Sequence, residues 1–298
     1  MTAPPPFAWH TPWPAPAKLN LFLHVVGRRP DGYHLLQTVF RFIDRCDWLH
    51  FAPRDDDRIV LANPLPNVPP EADLTVRAAH ALRREVGETP GVTLHLDKQL
   101  PLGGGLGGGS SDAATVLVAL NHLWRLGLPR QRLQSLGLAL GADVPVFIAG
   151  KNAFAEGVGE ALTPVDLPAA WYLVVEPDTA VPTAAIFSDS ALPRDTPAIH
   201  VSEWRPGFGH NDLQSVACRH FPAVADALDT LRQVAPGALM TGSGACLFAE
   251  FASADTALEA QAALPAGTRA LRLSLRGANG RFVPAKMRST MRRSITCL

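Results

Sequence analysis

Cysteine is scarce in this chain, and no two cysteines form a C-x-x-C pair. The 298 residues contain only four, at Cys46, Cys218, Cys246 and Cys297. This wide spacing argues against a disulfide scaffold and against a structural zinc site, and it is typical of a reducing compartment. The cysteine pattern therefore predicts a cytoplasmic protein.

Long apolar runs and an excess of charge of one sign are also absent. The apolar run at 113–120 is far shorter than the roughly 18 residues of a membrane-spanning helix, and the N-terminus lacks the basic start of a signal peptide. Lysine plus arginine and aspartate plus glutamate both number 27, so the formal net charge is +0. We expect no membrane partner, and any phosphate site must be local.

What is present is a globular chain with 47% hydrophobic residues, enough for a large core. Strand patterns occur at 17–25, 48–51, 92–96 and 171–175, and helical patterns occur at 74–86, 113–126, 223–234 and 256–263. A composition change near 163–168 predicts a domain junction. We expect a proline-rich leader (1–16), an N-terminal domain (17–165), a C-terminal domain (166–280) and a basic tail (281–298). A solvated tail is favoured over a nucleic-acid arm, because no aromatic residue separates its charges.

The most informative stretch is a glycine-rich segment between a predicted strand and a predicted helix. Its backbone N–H groups and the start of the helix can both face an anion, so it predicts a nucleotide-phosphate site. Six glycines in seven positions cost conformational entropy, which indicates a functional need for close approach. The predicted nucleotide-binding residues are Pro101, Leu102, Gly103, Gly104, Gly105, Leu106, Gly107, Gly108, Gly109, Ser110 and Ser111.

Other phosphate loops match this segment less well. A dinucleotide fold needs an acidic residue on a second strand about 20 residues further on, and that region holds a helix followed by Leu128-Pro129-Arg130. A Walker A loop needs a lysine that is missing here, and the protein-kinase motifs are absent. A flexible linker is the structural alternative, and the direct entry of Ser110-Ser111 into an apolar helix argues against it.

Three segments together resemble the small-molecule kinases that include galactokinase, homoserine kinase, mevalonate kinase and phosphomevalonate kinase. Residues 101–113 resemble the central family motif, 16–21 the first motif, and 240–246 the third. The resemblance extends from about residue 14 to about residue 279. It implies an α+β fold with an N-terminal nucleotide-binding domain, whose glycine loop precedes a helix, and a C-terminal α+β domain.

The resemblance also implies a catalytic pair. Asp143 falls where the family carries its catalytic base, although the local sequence alone favours a turn or cap aspartate. Lys18 is one of four lysines and lies in an apolar strand pattern, so it is the expected companion rather than a surface lysine. A cation there favours the ionised carboxylate and polarises the acceptor hydroxyl. Ser111 is expected to contact Mg²⁺ or a phosphate oxygen.

Three segments in order narrow the resemblance: Lys18-x-Asn20-Leu21, then Arg29-Pro30-Asp31-Gly32-Tyr33-His34, then the glycine loop. Together they resemble family members that act on a cytidine diphosphate-linked methylerythritol. The third motif (240–246), called the third glycine segment below, lacks the G-x-S-x-G spacing of a hydrolase elbow. A plain hairpin turn is the structural alternative for it. The family usually has asparagine where Asp73 stands here, so Asp73 is not a predicted site residue. The resemblance implies acceptor-binding residues of three kinds: Tyr33, His34, Thr183 and Phe187 hold the cytidine end, Asn20 lies by the polyol, and Gly242, Ser243 and Gly244 belong to the third glycine segment.

The expected function is ATP-dependent phosphorylation of the 2-hydroxyl of this acceptor in the non-mevalonate route to isoprenoid precursors, with ATP and Mg²⁺ as cofactors. Two alternatives are a sister kinase of the homoserine or mevalonate type and a nucleotide-binding regulator without catalysis. The expected partner is a small-molecule substrate, with neither nucleic acid nor membrane. We expect a monomer or a weak homodimer.

Overall fold

The computed structural model describes residues 7–66 and 68–274, which form two compact units. Unit 1 contains the described residues of Met1–Ala17, Cys46–Leu100 and Gly107–Gly150. Unit 2 contains those of Lys18–Arg45, Pro101–Leu106 and Lys151–Leu298. The chain thus passes between the units several times, whereas the predicted boundary near 165 divides it once. That boundary stays a prediction, and the predicted tail at 281–298 lies outside the described residues.

Two long strands supply residues to both units: β1 (Trp13–Arg28) and β2 (His34–Arg54), which pair with each other. The other elements of unit 1 are β3 (Ile59–Leu61), α1 (Leu74–Val86), β4 (Gly91–Asp97), α2 (Gly108–Leu123), α3 (Arg130–Leu138) and α4 (Val144–Ala149). Strand β4 pairs antiparallel with the end of β2 and parallel with β3. Helix α2 packs against α1 and α4.

Helix α1 shows how the local sequence sets an element. Asp73 precedes it, and its carboxylate accepts a hydrogen bond from the Thr75 amide at 2.8 Å. This is a conventional N-cap, a feature worth about 1 kcal/mol. The apolar stripe that contains Val76, Ala79 and Leu82 is buried. The amphipathic pattern predicts the same bounds for this helix, so that prediction is confirmed.

Unit 2 is built around an antiparallel sheet of four strands, which lie side by side in the order Ala270–Ser274, Trp171–Val175, Leu247–Phe251 and Leu239–Met240. Its further elements are β5 (Ala153–Glu156), β6 (Ala161–Pro164), β7 (Trp171–Val175), α5 (Thr183–Ser188), a 3₁₀ turn (Val201–Glu203), α6 (Asp212–His220), α7 (Pro222–Val234), β8 (Leu239–Met240), β9 (Leu247–Phe251), α8 (Ala254–Ala262) and β10 (Ala270–Ser274). Residues 38–40 of β2 pair antiparallel with β5, which pairs with β6.

The core of unit 2 is aliphatic. Leu173 and Val175 of the sheet are buried in one cluster with Leu213, Val216 and Leu228 of the helices. Each fully buried side chain of this size contributes about 1.5–3 kcal/mol relative to an exposed one. The mixture of helices and largely antiparallel sheets confirms the α+β fold class. Among the described residues, no helix is long and apolar enough to cross a membrane.

Strand β1 and helix α2 both begin earlier than the sequence pattern predicts. Strand β1 starts at Trp13, inside the predicted leader, because the Trp13 ring is buried and meets the Phe51 ring edge-on. Helix α2 starts at Gly108 instead of residue 113. Glycine disfavours helices, so the apolar pattern does not include Gly108 and Gly109 in the predicted helix. The backbone conformation of the glycine loop determines where the first turn begins.

Candidate active site

Lys18 is a buried charged side chain of the candidate site, with 2% of its surface exposed. Its ammonium donates hydrogen bonds to Asn20 Oδ1 at 2.6 Å and to the Gly105 carbonyl oxygen at 2.9 Å. Charged donors make the stronger protein hydrogen bonds, worth about 1.5–3 kcal/mol each. One lysine therefore joins β1 to the glycine loop within unit 2.

Asn20 is held on several sides. Its side-chain amide donates to Thr38 Oγ1 at 3.0 Å, and its backbone amide donates to Thr241 Oγ1 at 2.9 Å. Both threonines are buried. The predicted polyol-binding asparagine therefore has a fixed orientation. Thr241 is a site residue that the motif contains but the sequence interpretation did not select.

The first half of the glycine loop (103–105) and the third glycine segment (240–246) lie side by side in unit 2. Ala245 N donates to the Gly103 oxygen, and Cys246 N donates to the Gly104 oxygen, both at 3.1 Å. A Cβ placed on Gly105 would lie 2.2 Å from the Thr241 carbonyl oxygen, and the φ angle of Gly105 is +72°. Glycine is therefore required at position 105 for both conformation and space.

The second half of the glycine loop belongs to unit 1 and starts helix α2. Gly107 adopts a left-handed conformation with φ of +75°, and the helix begins at the next residue. Ser110 and Ser111 lie in its first turn, where free backbone N–H groups favour an anion. The Ser111 hydroxyl is buried and has no hydrogen-bond partner among the residues that the structure describes.

A buried charge cluster anchors the same helix start. Lys98 bridges Asp47 at 2.6 Å and Asp112 at 2.8 Å, and the other oxygen of Asp47 accepts the backbone amides of Gln99 and Leu100. Burial raises the pKa of Asp112 to about 7; Lys98 opposes the rise and Asp47 adds to it. Burial disfavours the charged form of Lys98 and so lowers its pKa, but the carboxylates of Asp112 and Asp47 together outweigh burial, and the pKa is raised. Sequence reasoning missed this cluster, whose members are far apart in the chain.

Asp143 immediately precedes α4 and is half-buried. Its side chain makes no capping bond to that helix, so the cap alternative finds no support in the geometry. The turn that carries it begins at Gly141, where an added Cβ would lie 3.7 Å from Ser110 Oγ. Within unit 1, the Asp143 turn therefore lies beside the first turn of α2.

The predicted base-binding residues are only partly brought together. The rings of His34 and Phe187 lie 5.0 Å apart at a 37° tilt. Tyr33 is 63% exposed, and its ring faces the Arg29 guanidinium. Arg194 contacts both His34 and the Phe187 carbonyl oxygen. Arg194 lies in the proline-rich stretch between Ile186 and Asn211, which carries no motif, so sequence reasoning missed it.

The third glycine segment is held by two further contacts. Ser243 Oγ lies 2.8 Å from Thr183 Oγ1, so two of the predicted acceptor residues form a pair. The side-chain amide of Asn211 donates to the Met240 and Gly242 carbonyl oxygens at 2.7 and 2.8 Å. Asn211, which the sequence interpretation also missed, therefore fixes the path of this segment.

Both halves of the chain match profiles of one kinase family. Residues 73–151 match the GHMP kinases N terminal domain, and residues 201–269 match the GHMP kinases C terminal domain. The predicted family is confirmed by these matches. Members of this family are ATP-dependent phosphotransferases, so the chain is a kinase that uses ATP.

Individual relatives narrow this assignment. The chain is 65% identical over 258 residues to a 4-diphosphocytidyl-2-C-methyl-D-erythritol kinase of Dechloromonas aromatica (strain RCB), covering 87% of this chain and 94% of the relative. A crystal structure of a 4-(cytidine 5'-diphospho)-2C-methyl-D-erythritol kinase is 36% identical with a TM-score of 0.76, covering 90% of this chain and 100% of the other. A homoserine kinase from Cytophaga hutchinsonii shares only the fold, at 17% identity and a TM-score of 0.61 over 91% of this chain and 95% of the other. The chain belongs to the GHMP kinases and, within them, to the 4-diphosphocytidyl-2-C-methyl-D-erythritol kinase family.

Proposed function

We propose that this kinase transfers the γ-phosphoryl group of ATP to the 2-hydroxyl of 4-diphosphocytidyl-2-C-methyl-D-erythritol. The observation that carries the proposal is the buried Lys18 ammonium, which contacts both Gly105 of the glycine loop and Asn20. A cation between a phosphate loop and a polyol-binding residue suits a phosphoryl transfer to an alcohol. The names of the relatives support the choice of acceptor.

The glycine loop is proposed to hold the ATP phosphates. Gly103, Gly105 and Gly107 all have positive φ angles, a conformation that turns backbone N–H groups toward a bound anion. Helix α2 adds its positive N-terminal end. The proposed phosphate contacts are those of residues 101–111, as the sequence predicts.

Mg²⁺ is proposed to accompany ATP, and the described residues offer it few protein ligands. They contain no group of three or more histidine, cysteine or acidic side chains placed to hold a metal. Mg²⁺ in kinases is bound largely by phosphate oxygens and water, so this scarcity fits. The unpartnered Ser111 hydroxyl is the protein group that suits it best. When bound, the ion neutralises charge on the phosphates.

Asp143 is proposed as the general base. The acceptor oxygen forms a bond to the γ-phosphorus, the bond between that phosphorus and the β–γ bridging oxygen breaks, and ADP leaves with the electron pair. The proton of the acceptor hydroxyl passes to the Asp143 carboxylate. A general base of this kind accelerates a reaction by about 10²–10⁴-fold. Lys18 is proposed to stabilise the developing negative charge, since its ammonium is fixed by two hydrogen bonds before substrate arrives.

The acceptor is proposed to bind to unit 2. Tyr33 and Phe187 present aromatic faces for the pyrimidine, and His34 reads its edge. Asn20 lies by the polyol, Thr183 helps to hold the cytidine end, and the segment Gly242-Ser243-Gly244 closes on the phosphate and substrate region. The contact between the His34 and Phe187 rings supports a shared base subsite.

An ADP-release assay tests the proposal. Purified protein is given ATP and Mg²⁺ with the cytidine-linked methylerythritol, homoserine or mevalonate, each in turn. We expect rapid turnover with the first acceptor, and Lys18→Met is the inactive control. Turnover confined to homoserine or mevalonate favours the sister-kinase alternative, and ATP binding without any turnover favours the regulator.

The remaining expectations concern the protein outside its site. We propose a cytoplasmic monomer or weak homodimer that binds no nucleic acid. Light scattering at several concentrations tests the oligomeric state, and a retardation assay with duplex DNA and RNA tests nucleic-acid binding. A tight tetramer or salt-sensitive nucleic-acid binding would contradict these expectations.

A further inference from the structure

Arg194 makes an unusual set of contacts for a surface-segment arginine. Its guanidinium donates to the carbonyl oxygens of Leu192 at 2.9 Å, Phe187 at 3.2 Å and Asp189 at 2.8 Å. Its Nε–H donates to Nε2 of His34 at 3.1 Å. One side chain therefore connects the end of α5 to the histidine that is proposed to read the base.

The direction of the last hydrogen bond fixes the chemistry of His34. A guanidinium has only donors, so Nε2 of His34 must be the acceptor and cannot carry a proton. The single proton of the neutral ring therefore resides on Nδ1. Among the described residues, Nδ1 has no hydrogen-bond partner, and the histidine is 9% exposed. His34 thus offers one donor and no free acceptor.

The charge environment keeps this ring neutral. Burial lowers the pKa of His34, and the positive charges of Arg194 and Arg28 lower it further. A second proton on Nε2 would also face the Arg194 donor directly. The arginine therefore disfavours both the other tautomer and the imidazolium.

We propose that Arg194 is a specificity-determining positioning residue, which selects cytosine by holding His34 as a donor through Nδ1. The inference deepens the proposed function and rests on His34 lying at the base edge. Arg194 itself acts through His34 and Phe187.

The selection follows from the edges of the two pyrimidines. N3 of cytosine is an acceptor, whereas N3 of uracil carries a proton and is a donor. A histidine free to change tautomer can donate to the first or accept from the second, so it discriminates little. A histidine fixed as a donor pairs with cytosine and leaves two donors facing each other with uracil. Unpaired buried donors are costly, which is what makes such a site selective.

Arg194 also fixes the stacking partner. Phe187 lies in α5, a helix of only six residues that ends at Ser188. Two carbonyl oxygens at this end are bonded by the same guanidinium nitrogen of Arg194. Loss of the arginine therefore loosens the Phe187 ring as well as freeing the histidine.

The kinetic test compares cytidine-linked and uridine-linked methylerythritol as acceptors. In Arg194→Met we expect the cytidine-to-uridine ratio of kcat/KM to fall by about tenfold, the range that an unpaired buried donor supports. The KM for the cytidine acceptor rises, and kcat stays within about threefold, because the reacting groups are untouched. Arg194→Lys keeps a donor and should recover part of the ratio.

The matched control is Arg219→Met. Arg219 bonds the carboxylate of Asp189 at the same end of α5 and is 51% exposed, yet its described contacts do not include His34. We expect its ratio to equal that of the wild type. An unchanged ratio in Arg194→Met, or an equal loss in Arg219→Met, overturns the proposal.

Two readouts separate this inference from the proposed function. Nitrogen NMR of the wild type should show His34 with its proton on Nδ1, and Arg194→Met should show a mixture of tautomers. Calorimetry with CDP and UDP measures base selection without any phosphoryl transfer. If no acceptor is phosphorylated but CDP selection falls in Arg194→Met, the proposed function fails and the role of Arg194 stands. A wild-type His34 protonated on Nε2, or equal affinity for CDP and UDP in the wild type, overturns that role.

Discussion

The contact between Gly105 and Thr241 offers the sharpest test of the glycine loop. In Gly105→Ala the new Cβ would lie 2.2 Å from the Thr241 carbonyl oxygen and 3.0 Å from the Gly244 oxygen. These neighbours are backbone atoms, which cannot rotate away. The two segments must therefore separate, and the Lys18 hydrogen bond to the Gly105 oxygen is lost with them.

The magnitude has two parts that can be measured separately. A non-glycine residue in the left-handed region costs about 1–2 kcal/mol. Gly127→Ala isolates this part, because Gly127 has a φ of +67° and no atom within 4 Å of the added Cβ. Gly105→Ala carries the same strain, and its Cβ also collides with backbone atoms. Overpacking of this kind typically lowers the free energy of unfolding by about 1–3 kcal/mol more.

Thermal unfolding and the ADP-release assay measure the two effects. We expect Gly127→Ala to lower Tm by a few degrees, with about 2–4 °C for each kcal/mol at this size, and to keep wild-type kinetics. Gly105→Ala should lower Tm further, raise the KM for ATP and reduce kcat. If both variants share the same Tm and the same kinetics, the close packing of the two glycine segments has no functional role.

One further variant and one labelling experiment test single groups. Asp143→Asn should bind ATP and acceptor normally and lose about 10²–10⁴-fold in kcat, whereas near-normal turnover would remove Asp143 from its proposed role. Burial raises the pKa of Cys246 to about 12, so the folded protein should resist iodoacetamide at this thiol at pH 8. Rapid labelling of Cys246 in peptide maps, at the rate of the half-buried Cys218, would show that the loop opens.

The sequence pattern predicts elements well where the signal is local. The bounds of α1 and of strand β7 agree with the prediction, because an amphipathic pattern defines the helix and a single apolar run defines the strand. Strand β2, by contrast, extends over 21 residues, and only 48–51 were predicted. Residues on both of its faces are buried, so its polar and apolar residues do not alternate. Helix α5 has only six residues and was not predicted.

The candidate site divides in the same way. Motifs identified Lys18, the glycine loop and the third glycine segment, yet only the structure shows that Gly105 and Thr241, which are 136 positions apart, touch. Arg194 has no motif because its function depends on three carbonyl oxygens and one histidine that the fold brings to it. A side chain that binds backbone groups far away in the sequence, as Asn211 binds Met240 and Gly242, leaves no local signature.

Asn211 is the second residue of this kind, and it leads to a prediction about the third glycine segment. Both protons of its amide are used by the Met240 and Gly242 carbonyl oxygens, and Asn211 is 4% exposed. A Cβ on Gly242 would lie 3.3 Å from the Lys18 ammonium, so this segment packs against the proposed catalytic lysine.

Asn211→Asp preserves the shape of the side chain but directs a carboxylate at two carbonyl oxygens, so it should destabilise the protein more than Asn211→Ala. We expect about 2–4 kcal/mol for the alanine variant, because it loses three hydrogen bonds and leaves two carbonyl groups unpaired; the third bond is the one that Asn211 Oδ1 accepts from the Leu213 amide at the start of α6. We expect a clear loss of kcat in both variants. Asn63→Ala is the matched control, because Asn63 makes two comparable bonds to Leu96 in unit 1. The control should lose stability and keep its turnover per folded molecule. An equal loss of kcat in the control would mean that Asn211 only stabilises the fold, since a residue that positions the segment beside Lys18 must affect the chemical step beyond its effect on folding.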